Sequence, residues 1–448
     1  MSPPAMPQQP TDRQYLGVVL PFMISTLTQP LMGAVNTAVM GRLPDPAYIS
    51  GVALGAVLFN TIYWFFGFLR VGTTGYAAQA LGSGRIEDQW TAFGRPLVVC
   101  LAASALILLG REPILDIYLD LIAPAPDVAA LTRAYYDILI WGTPLTLFNY
   151  VALGWLMGQA RIRASLFMQI STNLLNIVLC LVLVLHLQYE VAGVAAASLI
   201  AQVYGTLIGL WLMRANSRFG LKDASLRLLI RLKPMAKMLS TNANLMIRTA
   251  CLLVVNNLFA ATSASFGTEV LAANAVLLQV LALISFLIDG MANGNSLFVG
   301  RAVGRGDQAL FEQTRRMSLK WLAVLALTLV GLYGLGGRAL LGVFTGNESV
   351  LQLAGQYDFY IMAYPFCAGL GLTFYGLFTG ATFTAPIRDM MFLAMLCFAT
   401  SRFFLAPVMG NHGLWISYLL FYGSQSVIIG LFLPRLRGKT GFVKVVGV

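Results

Sequence analysis

The chain has 448 residues, of which 58% are hydrophobic and 10% charged, with a mean hydropathy of +0.76. A soluble globular chain carries about 25% charged residues, so a soluble enzyme and a disordered chain are both excluded. A polytopic helical membrane protein remains, and the net charge of +11 has to be read from where the basic residues fall.

Apolar runs of the roughly 20 residues that cross a bilayer predict twelve helices: 15–40, 47–72, 92–110, 131–156, 164–186, 191–213, 234–262, 270–300, 317–335, 351–378, 389–407 and 413–434. The runs are continuous, whereas strands of a membrane β-barrel alternate over about 10 residues. The run from Tyr15 to Met40 is too long for the apolar part of a cleaved signal and lacks a basic start, so it reads as the first membrane helix. Pro21 removes a backbone donor in that helix and permits a kink. Asn36 follows 15 residues later, about 22 Å along the axis.

The arm, loops and tail at 1–14, 81–95, 157–163, 214–237, 301–320, 381–388 and 435–448 hold 22 of the 29 Lys and Arg. The intervening loops hold four, Arg42, Arg111, Arg133 and Arg338. Arg70, Arg248 and Arg402 fall inside apolar segments. Basic residues that alternate between rich and poor loops obey the positive-inside rule. The pattern predicts both termini in the cytoplasm and needs no nucleic acid.

Polar residues within the spans are the candidate site. The fourth helix carries Tyr135 and Tyr136 at its outer end. The fifth carries Gln169, Asn173, Asn176 and Cys180, whose spacings of four, three and four put them on one face. A polar stripe in a span faces protein or water, not lipid, so it walls a cavity or glues helices together. Ser198 and Gln202 repeat the spacing on the sixth helix. An ionised side chain costs about 2.5–3.5 kcal/mol at a helix centre, which singles out Asp289 in the eighth as functional or as a partner of Arg248. Asp137 and Asp358 lie near helix starts and read as interfacial.

Cys100, Cys180, Cys251, Cys367 and Cys397 all lie in apolar segments and read as small buried hydrophobes. His186 and His412 form no metal-ligand pattern. No GxxxxGK[ST] motif occurs, so ATP is not the expected energy source, and no catalytic constellation is present.

The chain divides at its most polar stretch, giving lobes 1–213 and 234–448 around a linker at 214–233. The halves repeat. Ala78–Gly84 matches Gly300–Gly306, and Pro144, Gly154 and Gly158 match Pro365, Gly376 and Gly380, at offsets of 221 to 222. Six helices in each half make the repeats parallel, with a pseudo-two-fold axis along the membrane normal, a common transporter plan. Gly84 reads as a helix C-cap, not a phosphate cradle.

Phe59–Gln79, Gly33–Gly41, Ile140–Pro144, Ile247–Thr249 and Ala272–Gln279 resemble the DinF-like branch of the multidrug and toxic compound extrusion (MATE) family. The resemblance implies twelve helices in two lobes, a bacterial inner-membrane location, and export of cationic, amphipathic compounds by cation antiport. H⁺ is the implied coupling ion, and the protein is expected to act as a monomer without cofactor or metal. Pro21 matches the proline where the first helix is proposed to bend. Tyr135, Asn176 and Ser198 match cavity positions, and Asp289 matches the acid of a Leu-Asp-Gly motif. The chain departs from the branch at three positions. Asn36 stands where an aspartate couples the proton, Cys180 where an acid follows the cavity asparagine, and Ser296 where a glutamate is common. These departures predict a chain that binds its substrates but couples poorly. Two alternatives keep the fold, Na⁺ coupling and a lipid-intermediate flippase. The first wants several oxygens together, and the second wants a wide basic cavity. A channel or receptor has no support in the sequence.

Overall fold

The computed structural model describes residues 10–40, 46–217, 229 and 231–439. Every regular element among the described residues is helical. Two compact units emerge. One runs from Leu27 to Met238, and the other joins the first helix as far as Thr26 to the chain from Leu239 onward.

The first unit holds the later half of α1 (Asp12–Met40), then α2 (Pro46–Phe66), α3 (Phe68–Ser83), α4 (Ile86–Leu109), α5 (Arg111–Ile122), α6 (Pro126–Leu139), α7 (Thr143–Gly158), α8 (Ile162–Cys180) and α9 (Glu190–Asn216). The second holds α10 (Leu232–Ser265), α11 (Thr268–Arg305), α12 (Gln308–Phe344), α13 (Glu348–Gly355), α14 (Asp358–Gly380), α15 (Ala385–Met409), α16 (Asn411–Leu431) and α17 (Leu433–Lys439). Among the described residues, eleven stretches are long and apolar enough to cross a membrane. The 29-residue α1 supplies a twelfth by length.

The observed helices overrun the predicted spans. At 37 residues, α12 is about 55 Å long against a hydrocarbon core of about 30 Å, and an apolar count sees only its middle. The fourth predicted span is two helices joined by a 3₁₀ turn at Ile140–Gly142, where Pro144 has no N–H to continue the i to i−4 ladder and sits instead in the first turn of α7. The short α5 escaped notice because twelve residues fall below a spanning length.

Each unit is built on the same glycine-mediated crossing. Gly154 of α7 lies against the Arg70 carbonyl of α3, and Gly376 of α14 against the Ala292 carbonyl of α11. One turn on, Gly158 meets Thr74 and Gly380 meets Ser296. Both members of each contact differ by 222 positions, so the repeat read from sequence is a repeat of packing. A Cβ at these glycines would overlap the facing backbone. Gly84 and Gly306 also repeat, both left-handed at φ of 71° and 69°. They close α3 and α11 with backbone N–H bonds to the preceding turn, as expected of C-caps.

The boundary between units differs from the expected division at 1–213, since the start of α1 packs with the second half. The Tyr15 hydroxyl donates to Asn295 Oδ1 at 2.6 Å, and its ring stacks on Phe298 at 5.7 Å. Val19 and Met23 fill the faces of Gly294 and Gly290, and Thr26 Oγ1 donates to the Phe286 carbonyl at 2.6 Å. Ahead of the apolar run, Asp12 accepts from Lys320 Nζ at 2.8 Å and Trp321 Nε1 at 2.9 Å, which holds its carboxyl below the usual carboxylate range. Sequence order placed this segment in the first lobe, but the close approach of the Met23 backbone and the Val19 side chain to the two glycines of α11 assigns it to the second.

Tyr15→Phe tests this seam. Asn295 is 0% exposed and its Nδ2 already lacks a partner, so the change would strand its Oδ1 as well. The expected cost is about 1–3 kcal/mol, read as a lower melting temperature. An unchanged melt would show that Phe298 stacking alone holds the seam.

Candidate functional site

In the first unit three of the predicted polar residues, Asn176, Ser198 and Gln202, are hydrogen-bonded along α9. Ser198, Gln202 and Thr206 recur every four residues and form a seam. Asn176 Nδ2 of α8 donates to Ser198 Oγ at 3.1 Å. Asn149 Nδ2 of α7 donates to Gln202 Oε1 at 2.8 Å, and Thr206 Oγ1 donates to Asn149 Oδ1 at 3.2 Å. Asn176 is 3% exposed, yet its Oδ1 has no partner. It is a buried acceptor open to a donor. Gln169 and Cys180 are buried on the same face of α8, and Asn173 is half-buried. The α-helical stripe ends at Cys180, where a π-helical turn covers Leu181–His186. Such turns re-aim side chains.

Tyr135 of α6 is buried. Its ring fills the space beside Gly55 and stands edge-on to Phe59 at 6.1 Å. Tyr135 also lies within electrostatic reach of Tyr63 and Cys180, which brings the aromatic patch to the end of the polar stripe. Asn149, Thr206, Phe59 and Tyr63 were missed in the sequence. Asn149 is a lone amide between apolar neighbours, and nothing local marks it as the partner of Gln202.

The second unit contains a different cluster. Asp289 of α11 is partly buried and immediately precedes Gly290, the residue on which Met23 of α1 rests. Arg248 of α10 stacks on the Tyr375 ring of α14 at 4.2 Å, a cation–π geometry that sequence reasoning did not anticipate. Arg248 and Asp289 both lie within electrostatic reach of Tyr422 of α16. Tyr364 of α14 packs edge-on against Tyr422 at 4.8 Å and shares a 2.6 Å hydrogen bond with Ser285, one turn before Asp289. The carboxylate thus lies between the α1 seam and a wall of tyrosines.

The structure divides the remaining candidates. Pro21 lies within continuous α1, in the part that packs with the second unit. The side chain of Asn36 lies outside the described residues. Asp137 is exposed, and Asp358 accepts from Tyr333 at 2.6 Å at a helix start. Asp358 thus stands at a helix start as expected, whereas Asp137 lies in the last turn of α6 and not at a helix start.

Comparisons with known proteins follow the same two-part pattern. The MatE family model matches twice, over residues 21–182 and 245–408. The DNA damage-inducible protein F of Escherichia coli is 32% identical over 95% of this chain and 92% of its own length. The multidrug export protein MepA of Staphylococcus aureus is 20% identical over 97% of this chain and 96% of its own. A solved MOP superfamily transporter from Pyrococcus furiosus superposes with a TM-score of 0.85 at 19% identity, covering 97% of both chains.

Proposed function

Because this chain belongs to the MatE family, we propose that it is an efflux transporter that takes lipophilic and cationic small molecules out of a bacterial cell by cation antiport. Near full-length similarity to an Escherichia coli relative, with the family model matching both halves, carries this reading. In the proposed orientation both termini are cytoplasmic, in accord with 22 basic residues on one set of loops against four on the other. In accord with that orientation, Arg133 at the sparse end pairs with Glu112 and Asp116, and Arg338 with Glu348.

The substrate pocket is proposed to be the wall formed by Tyr135, Phe59, Asn176, Ser198 and Gln202. Aromatic faces attract a lipophilic cation through their quadrupoles, and the open Oδ1 of Asn176 accepts a donor. H⁺ is the proposed coupling ion of this architecture. Na⁺ is the weaker choice, because positions 36 and 180 offer an amide and a thiol where a sodium site wants converging oxygens. With Asn36 in place, the chain is proposed to bind substrate and couple poorly.

Binding of tetraphenylphosphonium to the purified chain by equilibrium dialysis tests the pocket. Binding should saturate, be indifferent to Na⁺, and weaken at least fivefold in Asn176→Leu. Unsaturable uptake equal in both chains would sink the assignment.

A further inference from the structure

Arg301 lies on the last turns of α11 and is only 4% exposed. Its Nε has no hydrogen-bond partner. Among the described residues its guanidinium enters no ion pair. The charge that acts on it is a second cation, Arg305, one turn later. The acids at this end of the unit are engaged elsewhere. Asp12 takes Lys320 and Trp321, Glu312 takes Arg315 and Arg437, Asp389 takes Arg388, and Asp307 caps α12 through the Leu310 N–H. At the end of α11 two carbonyls already accept a backbone N–H. Asp307 N–H already occupies the Ala302 carbonyl and Gly306 N–H the Val303 carbonyl.

An arginine cannot shed its proton to escape burial, and a buried unpaired charge is strongly unfavourable. The negative end of the α11 dipole offsets only a small part of that. Position 301 is not obliged to carry charge by the fold, since its repeat counterpart 222 residues earlier is Gln79. The charge is therefore a feature of the second half alone. An anion completes such a site, and a planar guanidinium beside a second cation suits the oxygens of a phosphate group. Basic pockets between helix ends of membrane proteins take lipid headgroups by this chemistry.

We propose that Arg301 and Arg305, at the turn from α11 into α12, form a phosphate-binding site that takes the phosphate of an anionic phospholipid or a free phosphate ion. The site lies at the same end of the second unit as Asp12, and it stands independently of the transport reading.

The test uses the full chain in lipid nanodiscs and in neutral detergent, with melting temperature as readout. In the first arm, phosphatidylglycerol replaces phosphatidylcholine. In the second, inorganic phosphate is titrated into the detergent-solubilised chain. A saturable rise in melting temperature is expected in at least one arm. A rise with phosphatidylglycerol alone identifies the lipid phosphate, and a rise with inorganic phosphate identifies the free ion. Arg301→Gln, which copies the residue at the repeat position, should abolish the rise. Arg301→Lys, which keeps the charge but not the fork, should raise the half-saturating concentration at least tenfold. Arg316→Gln, at an exposed arginine of the same end, should retain it. No rise in either arm overturns the proposal even if the Arg301 variants fail to fold. So does a rise that survives Arg301→Gln, or one that Arg316→Gln removes equally.

Discussion

Asn36→Asp is expected to accumulate lipophilic cations against a gradient, and the unchanged chain is expected to bind them without pumping them. An amide cannot load and release a proton, whereas a carboxyl of nearly the same shape can. One proton carried inward supplies about 2.3 kcal/mol per 100 mV, and 1.4 kcal/mol is a factor of ten, so roughly 50-fold accumulation per 100 mV is within reach. The measurement is uptake of a fluorescent lipophilic cation into everted vesicles, with ΔpH and ΔNa⁺ imposed separately. Asn36→Asp should respond to ΔpH alone, and the unchanged chain to neither. The position is coupled to the rest of the molecule by covalent continuity. α1 runs unbroken from Asp12 to Met40, and its first half is pinned to α11 by Tyr15, Val19, Met23 and Thr26. Robust proton-driven export by the unchanged chain would refute this assignment and move the coupling role to Asp289.

Asp289→Asn, measured in the Asn36→Asp background, is expected to lower transport at least tenfold while leaving insertion and melting temperature nearly intact. The neighbourhood dictates this. The carboxylate stands one residue from the α1 contact at Gly290 and shares Tyr422 with Arg248. Removing its charge changes the field felt by the tyrosine wall without removing volume. Asp358→Asn is the contrast. That carboxylate accepts a 2.6 Å bond from Tyr333 at a helix start, so exchanging it for a neutral amide acceptor should weaken that bond, lower the melting temperature slightly and spare transport. Full activity of Asp289→Asn at equal expression would reduce Asp289 to a packing partner of the second unit.

The sequence by itself determined the membrane-spanning helices, the repeat and the polar stripe of α8. Each is a one-dimensional property. Apolar run length reports a span because the bilayer has a fixed thickness. Spacings of three and four report a face because the helix has a fixed pitch. A recurring offset reports duplicated packing because only glycine admits a facing backbone at Gly154 and Gly376. The tertiary structure alone decided the pairings across long separations. Tyr15 finds Asn295 across 280 residues, Asn149 finds Gln202 across 53, and Arg248 finds the ring of Tyr375. No local pattern encodes these, because a hydrogen-bonding or aromatic side chain looks the same in sequence whichever neighbour satisfies it. For the same reason the first helix was assigned whole to the first lobe. Chain order says where a segment begins, but only the fit of Val19 and Met23 to the bare faces of Gly294 and Gly290 says what it packs against.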